Sequence, residues 1–217
     1  KKTKTKHKIY YPTRKELNIT KVSSINKYLS KKKPDIVIHL AALSRPMKIH
    51  NKNISKSIDL NIIGTANVVK ACELKKVKLI YFSTGYVYEG RSGNYSENDP
   101  VKPMNNYGLS KLGGECSVLM YRNSLVLRLT MTEKPFAYNV AYENLISNFM
   151  FHEDLVKILP KIIDKFGILN VGGKCQSVYD FVKKNNKNIK KIKINKKINI
   201  PLKQTMNLSL LKKILKK

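Results

Sequence analysis

Hydroxyl, phenol and ammonium side chains follow one another in two short stretches of the chain, YFST and YGLSK. The first ends in Ser83 and Thr84, and the second supplies Tyr107 and Lys111. Residues four apart on a helix share a face, so the phenol and the ammonium are expected to lie together. A nearby ammonium lowers the pKa of a phenol, which can then give a proton to a carbonyl oxygen. The pattern predicts a carbonyl-reducing site in which Thr84 or Ser83 hydrogen-bonds the same oxygen.

A tyrosine four residues before a lysine is a weak signal by itself in a lysine-rich chain. Such pairs occur at Tyr11/Lys15, Tyr28/Lys32, Tyr107/Lys111 and Tyr179/Lys183. The third pair differs from the others because it follows an apolar run that ends in Ser-Thr. We therefore favour a functional role for that pair over a solvated helix face.

The chain is strongly basic, with 43 Lys and Arg against 14 Asp and Glu and a net charge of +29. Such a charge attracts polyanions, so a nucleic-acid binder is one hypothesis. However, the lysines are spread along the chain, and Lys, Asn and Ile are enriched together, as A/T-rich codons would produce. Genomic bias is the favoured interpretation, and nucleic-acid binding is not expected.

The spacing of the cysteines and histidines along the chain does not match the pattern of a metal site. The three cysteines, Cys72, Cys116 and Cys175, form no C-x-x-C pair, so neither zinc nor a disulfide framework is expected, and a reducing compartment fits. No apolar run approaches the roughly 18 residues that span a bilayer, and no signal peptide is recognisable, so we expect a cytoplasmic protein. Four histidines without metal-ligand spacing are interpreted as structural or solvated: His7, His39, His50 and His152.

Apolar runs alternate with helical patterns along the first part of the chain, which predicts a parallel sheet covered on both faces. The predicted strands are 7–12, 34–43, 77–84, 124–130 and 167–173. The predicted helices are 20–32, 54–76, 106–121, 152–166, 177–185 and 207–217. We expect one α/β domain over 1–130, and a small substrate-binding lobe with returning sheet elements over 131–217.

Several motifs together resemble the extended short-chain dehydrogenase/reductases. They are KPDIVIHLAAL, LNIIGTANVVKAC, YFSTGYVYEG, YSENDPVKPMNNYGLSKLGGE and LVLRLT. The closest branch is the dTDP-4-dehydrorhamnose reductase group, and the resemblance covers nearly the whole chain. It implies a Rossmann-type parallel sheet, a small C-terminal substrate lobe, a nicotinamide cofactor (NADPH or NADH), and reduction of a nucleotide-linked 4-keto-6-deoxy sugar.

The resemblance implies roles for particular side chains. Tyr107 would be the proton donor, and Lys111 would bind the nicotinamide ribose and tune Tyr107. Thr84 would polarise the substrate carbonyl, with Ser83 beside it on the cofactor side. The remaining implied cofactor contacts are Ala41, Ala42, Asn61 and Arg14, the last near a 2′-phosphate. Arg128, at a strand end, either contacts the sugar nucleotide's phosphate or forms an ordinary salt bridge.

Two positions depart from the family pattern. Gly85 stands where rhamnose-forming reductases usually have Asp after Ser-Thr, which removes a carboxylate near the substrate. The chain has no glycine before Gly64, and the segment KIYYP resembles the family's second strand. The first strand, the glycine-rich phosphate-binding loop and most of the first helix are therefore expected to be missing, which would leave a truncated Rossmann sheet.

Two alternatives follow from the same resemblance. The scaffold also serves nucleotide-sugar epimerases and dehydratases, which normally keep a tightly bound NAD. The regulatory subunit of methionine adenosyltransferase is similar to this reductase branch, so a non-catalytic binding protein is the second alternative. A nucleotide-sugar substrate and a homodimer are the expected partners.

Overall fold

The structure, a computed structural model, describes residues 7–195 and 201–216. The helices are α1 (Val22–Lys32), α2 (Ile49–Lys52), α3 (Ile54–Ser57), α4 (Gly64–Lys75), α5 (Asn106–Leu119), α6 (His152–Ile162), α7 (Val178–Lys183) and α8 (Ser209–Leu215). The strands are β1 (Ile36–His39), β2 (Lys78–Phe82), β3 (Ser124–Leu129), β4 (Met131–Thr132), β5 (Val140–Tyr142), β6 (Ile146–Ser147), β7 (Met150–Phe151), β8 (Gly167–Val171), β9 (Gln176–Ser177), β10 (Lys190–Ile192) and β11 (Lys203–Gln204).

The main sheet is parallel and runs in the order β1-β2-β3-β8. Its strands are short and apolar because both faces are covered, and all six residues of β3 are buried. The α/β class with a Rossmann-type parallel sheet is therefore confirmed. The carboxyl ends of β1, β2 and β3 lie at one edge, where open α/β sheets bind their ligands.

Alternate residues of the strands pack into two separate hydrophobic cores, one on each face of the sheet. Leu79, Tyr81 and Val126 pack against α1, α4 and α5 on one face of the sheet. Ile80, Leu125 and neighbouring strand residues pack against α6 and α8 on the other face. This period-two alternation makes three layers, with helices on both sides of the sheet.

The predicted long helix over 54–76 is observed as a continuous helical segment with a π-helical turn in its middle. Helix α3 passes into the π-helical turn (Ile58–Ile63), which passes directly into α4. A π-turn inserts an extra residue and frequently marks a functional position. Here the wide turn carries Asn61, which is fully buried.

The predicted strand over 7–12 is wrong. These residues have no regular secondary structure, and Ile9 and Tyr11 are exposed. The Tyr10 ring instead lies beneath the ammonium groups of Lys8 and Lys32. A strand requires a neighbour to accept its ladder hydrogen bonds, and no part of the chain that the structure describes pairs with this segment.

Small sheets occupy the region beyond residue 130. They are β5-β10, β11-β6-β9 and β4-β7, while β8 returns to the main sheet. A third core lies among Ala141, Phe151, Phe181 and Ile189. The division of the chain into 1–130 and 131–217 stays a prediction. The predicted helix over 207–217 is observed as α8, and Lys217 lies outside the described residues.

Two adjacent glycines on α5 should respond differently to alanine. A Cβ on Gly114 would lie 2.4 Å from the Asn61 backbone oxygen and 2.7 Å from the Tyr81 hydroxyl. Gly114→Ala is therefore expected to destabilise the fold by about 1–3 kcal/mol, because backbone must move. A Cβ on Gly113 would meet only the mobile end of Ile62, at 2.9 Å. Gly113→Ala should be near neutral, since the gain in helix propensity of up to about 1 kcal/mol offsets the crowding. Urea unfolding of both variants checks the difference, and equal effects would contradict it.

Of the helices in the described ranges, none combines the length and apolarity that a bilayer crossing needs. The cysteines are free thiols, with Cys72 buried and Cys116 and Cys175 exposed. Within residues 7–195 and 201–216, no group of His, Cys, Asp and Glu side chains has the arrangement of a metal site.

Candidate active site

The end of β2 delivers the two predicted hydroxyls to the carboxyl edge of the sheet. The backbone N–H of Ser83 donates to Leu127, which extends the ladder one residue beyond the strand. Thr84 then caps the 3₁₀ turn (Gly85–Val87), its hydroxyl accepting from the Tyr86 backbone N–H at 3.3 Å. Both hydroxyl-bearing residues are buried. The strand end and the turn together fix the direction of the Thr84 side chain.

Helix α5 begins beside this turn and carries the other two predicted residues. Asn105 caps the helix by accepting from the Gly108 backbone N–H at 2.8 Å. A Cβ on Gly108 would lie 2.5 Å from the Tyr86 carbonyl oxygen, so the absence of a side chain lets the helix start approach closely. Tyr107 in the first turn places its phenol near the Thr84 side chain, close enough for the Thr84 hydroxyl to act on its pKa. The structure therefore brings these two predicted residues together.

The Tyr107 ring is packed between aromatic neighbours. Its centroid lies 5.1 Å from that of His50 and 5.9 Å from that of Tyr86. Burial raises the pKa of Tyr107 to about 12, although the Thr84 hydroxyl and the Arg45 charge act in the opposite direction. The sequence predicted the reverse sign, with Lys111 lowering this pKa. Tyr107 is thus a protonated phenol near neutral pH, which is the form that a proton donor needs.

Lys111 lies one turn further along α5 and is buried. Its Nζ is 4.0 Å from the centroid of the Tyr81 ring. Burial lowers the pKa of Lys111 to about 7, while the Glu115 carboxylate acts in the opposite direction. Among the described residues, no hydrogen bond from its ammonium group is observed, so its donors remain available to a ligand.

The depressed lysine pKa makes stability depend on pH. Between about pH 7 and 10.5 the unfolded chain binds a proton at Lys111 that the folded chain does not, so the free energy of unfolding should rise with pH. The slope expected is at most about 1.4 kcal/mol per pH unit. Urea unfolding from pH 7 to 9.5 checks this result. Lys111→Met should lack that part of the slope, and an unchanged slope in the variant would contradict the assignment.

Asn61 ties three elements together beneath the site. Its Oδ1 accepts from the Leu43 backbone N–H at 2.7 Å, and its Nδ2 donates to the Leu43 carbonyl at 2.9 Å and to the Ser110 hydroxyl at 2.8 Å. The predicted Ala41 and Ala42 immediately precede Leu43 after β1, where Ala41 is exposed and Ala42 half-buried. Asn61 therefore fixes the loop that presents these small side chains.

Arg14 lies apart from this cluster. It is exposed on a turn after the irregular segment 7–12. No contact among the described residues joins it to Thr84, Tyr107 or Lys111, so its role toward a 2′-phosphate stays a prediction.

Arg128 is not placed to contact a substrate phosphate. Its Nε and Nη2 donate to Glu115 Oε1 at 3.0 and 2.7 Å, and its Nη1 donates to the Tyr88 hydroxyl at 2.8 Å and the Glu97 carbonyl at 3.2 Å. Only 3% of the residue is exposed. Of the two readings of Arg128, the salt bridge is the one observed, because these acceptors occupy nearly all its donors inside the protein.

The space beside Gly85 is occupied by side chains from two other segments of the chain. A Cβ on Gly85 would lie 3.0 Å from the Thr130 hydroxyl oxygen and 3.4 Å from the Met206 sulfur. The space beside the residue that follows Thr84 thus holds a hydroxyl and a thioether. Gly85 leaves no carboxylate at this position.

Sequence reasoning missed several residues near the site. Glu115 was readable as a carboxylate four residues after Lys111 on the same helix face. The exposed ion pair of Arg45 and Glu133, 2.5 Å apart, joins segments 88 residues distant, and no local pattern reveals it. His50 was interpreted as structural or solvated, and it is buried against Tyr107 with Nδ1 2.8 Å from the Ser57 hydroxyl.

Comparison with known proteins accords with this geometry. Residues 1–148 match the profile of the family described as RmlD substrate binding domain. The chain belongs to the RmlD substrate-binding family. It therefore lies in the RmlD-like branch of the extended short-chain dehydrogenase/reductases, which confirms the resemblance carried by the motifs.

Relatives of this RmlD-like chain fall into two groups. Methionine adenosyltransferase 2 subunit beta of Danio rerio is 39% identical over 88 residues, covering 41% of this chain and 26% of the relative. The dTDP-4-dehydrorhamnose reductase of Aggregatibacter actinomycetemcomitans is 26% identical over 192 residues, covering 76% of this chain and 65% of the relative. The chain spans 26% to 32% of the length of the beta subunits that it matches.

Solved structures share the RmlD-like fold. The dTDP-4-dehydrorhamnose reductase of Bacillus anthracis, solved in complex with NADP, superposes with a TM-score of 0.83 at 24% identity, covering 95% of this chain and 82% of that one. The Clostridium acetobutylicum orthologue gives a TM-score of 0.81 at 22% identity, covering 92% and 81%. At this level of identity the likeness establishes the fold alone.

Proposed function

We propose that the protein is an NAD(P)H-dependent reductase of a nucleotide-linked 4-keto-6-deoxy sugar. The observation that carries the proposal is the placement of the Thr84 hydroxyl near the Tyr107 phenol, with the buried Lys111 one helical turn away. This set lies at the carboxyl edge of a parallel sheet, where such folds bind ligands. Relatives named as dTDP-4-dehydrorhamnose reductases support the substrate class.

The residues present fit the nicotinamide end of a dinucleotide. Lys111 offers an amino group with available donors, and the small residues at the end of β1, Ala41 and Ala42, are exposed and half-buried. When bound, a reduced nicotinamide supplies the hydride. Residues 7–63 contain no glycine, so the described N-terminal part offers no glycine-rich cradle for the pyrophosphate. The fit is therefore to the nicotinamide and its ribose, which Lys111 would hold.

Each side chain has a separate task in the proposed reaction. Tyr107 holds its proton at neutral pH and transfers it to the substrate carbonyl oxygen. Thr84, whose side chain lies near the Tyr107 phenol, offers its hydroxyl to the same oxygen. Charge that develops on the oxygen is thereby stabilised by two fixed groups in a buried environment.

The direct test is incubation of the full-length protein with NADPH or NADH and a dTDP-4-keto-6-deoxy sugar. Loss of absorbance at 340 nm that depends on both reagents supports the reductase. Cofactor binding without turnover would contradict it. NAD that stays bound through purification would instead favour an epimerase or a dehydratase.

A non-catalytic subunit is the second candidate function. It is supported by the higher identity to methionine adenosyltransferase beta subunits, 39% against 26% for the reductase of A. actinomycetemcomitans, and by the missing carboxylate at Gly85. Isothermal titration calorimetry with NADPH and with a methionine adenosyltransferase catalytic subunit separates the candidates. Binding of the subunit without reduction of any keto sugar would favour this candidate.

The homodimer stays a prediction. The outer face of α5 supports it, because Leu109, Cys116 and Met120 are exposed there and bear no charge in a strongly basic chain. Light scattering after size-exclusion chromatography checks the mass in solution.

A further inference from the structure

One buried carboxylate joins the three elements that meet at the proposed site. Glu115 has no exposed surface. Its Oε2 accepts from the Ser83 hydroxyl at 2.5 Å, and its Oε1 accepts from the Arg128 guanidinium at 2.7 and 3.0 Å. Helix α5 and the carboxyl ends of β2 and β3 are thus held by a single side chain.

The same carboxylate is the negative group that acts on Lys111. The groups that face Lys111 from other elements are His39 on β1 and the Tyr81 ring on β2, with Glu115 and Tyr107 on its own helix. Burial lowers the pKa of His39 to about 3 and raises that of Tyr81, so both are neutral near pH 7. Within the described chain, Glu115 is the group that favours the charged form of Lys111.

Position along the helix explains why one residue serves both purposes. Residues 111 and 115 are one turn apart, so their side chains lie on the same face, toward the sheet. Ser83 directly precedes Thr84, so the bond from Ser83 to Glu115 acts on the strand end that carries the hydroxyl next to Tyr107. Moving this carboxylate would change the spacing between strand end and helix.

We propose that Glu115 is a positioning residue of the site: it holds α5 in register with the strand end that carries Thr84, and its negative charge favours the cationic form of the Lys111 side chain that would bind the cofactor. The proposal rests on the proposed reductase function for its cofactor part. Glu115 is not a catalytic residue, because its hydrogen bonds are with Ser83 and Arg128 and its effect on Lys111 is electrostatic. A carboxylate that only neutralised Arg128 would stabilise the fold without affecting Lys111.

The experiment compares Glu115→Gln with the wild-type protein. The titration of the Lys111 side chain is followed by the ¹³Cε chemical shift, assigned by its absence in Lys111→Met. The midpoint in Glu115→Gln is expected to fall by about one pH unit or more, because an opposite charge nearby shifts a pKa by about 1–3 units. NADPH affinity at pH 7.5 should fall about 10-fold.

Two further variants keep the test decisive. Glu73→Gln removes an exposed carboxylate of α4 and should leave the Lys111 midpoint unchanged. If Glu115→Gln does not fold, the double variant Glu115→Gln/Arg128→Met removes the unpaired guanidinium, and the same midpoint is read there. A midpoint equal to that of wild type would overturn the proposal. A shifted midpoint with no NADPH binding by either protein would support the action of Glu115 on Lys111 and overturn the reductase function.

Discussion

Tyr107→Phe is expected to lower kcat/KM for the keto sugar by about 10²–10⁴-fold, the usual contribution of a positioned proton donor. The ring would remain packed against His50 and Tyr86, so only the hydroxyl near Thr84 is lost. Stability should change by no more than about 1 kcal/mol, the net worth of one hydrogen bond. The rate of NADPH oxidation at 340 nm checks the first result, and urea unfolding checks the second.

The chain supplies a matched control for this substitution. Tyr179 also precedes a lysine by four residues, and Lys183 Nζ lies 5.3 Å from its ring centroid. Tyr179→Phe should leave kcat/KM within twofold of the wild-type value. If Tyr107→Phe keeps its activity to the same degree, Tyr107 is not the proton donor.

Arg128→Ala is expected to destabilise the protein by about 3–5 kcal/mol, the typical cost of removing one partner of a buried ion pair. The variant leaves the Glu115 carboxylate buried without its guanidinium, and the Tyr88 hydroxyl loses a donor at 2.8 Å. The free energy of unfolding from urea titrations measures the loss.

An exposed ion pair provides the comparison for Arg128. Arg91 Nε lies 3.4 Å from Glu89, and 66% of the arginine side chain is exposed. Arg91→Ala should cost less than about 1 kcal/mol, because solvent screens such pairs. A cost for Arg128→Ala as small as this would mean that water reaches the Glu115 pair and that the network does not hold the strand ends.

The central sheet and the meeting of Thr84 with Tyr107 could be predicted from the sequence, and the reason is the burial of the strands. A strand covered on both faces has no polar alternation, so β1, β2 and β3 appear as unbroken apolar runs. The end of such a run locates Thr84. The helical period over 106–121 then places Tyr107 at the start of a helix, which the structure shows as α5 with Asn105 as its cap.

The electrostatics could not be predicted, because burial is a property of the folded chain. The sequence shows a lysine four residues from Tyr107, and from this the phenol was expected to become more acidic. In the structure burial dominates, and the ammonium lies over Tyr81. For Arg128 the sequence left a phosphate contact and a salt bridge open, because the carboxylate partner Glu115 comes from another element.

The segment 7–12 failed as a strand because strand formation depends on a neighbour. The β-branched and aromatic run over 9–11 is typical of a strand, yet Ile9 and Tyr11 remain in solvent. The residue pattern shows that a segment is able to form a strand. Whether it does so depends on a neighbouring strand to pair with.

The most direct test of a shared site for Thr84 and Tyr107 is a double-mutant cycle on kcat/KM with Thr84→Val, Tyr107→Phe and the double variant. Because the two hydroxyls lie near each other and are proposed to act on one carbonyl oxygen, the double variant should lose much less than the product of the single losses, with a coupling of at least about 1 kcal/mol. Losses that multiply, with no coupling, would show that the two residues act independently and would contradict a common reducing site.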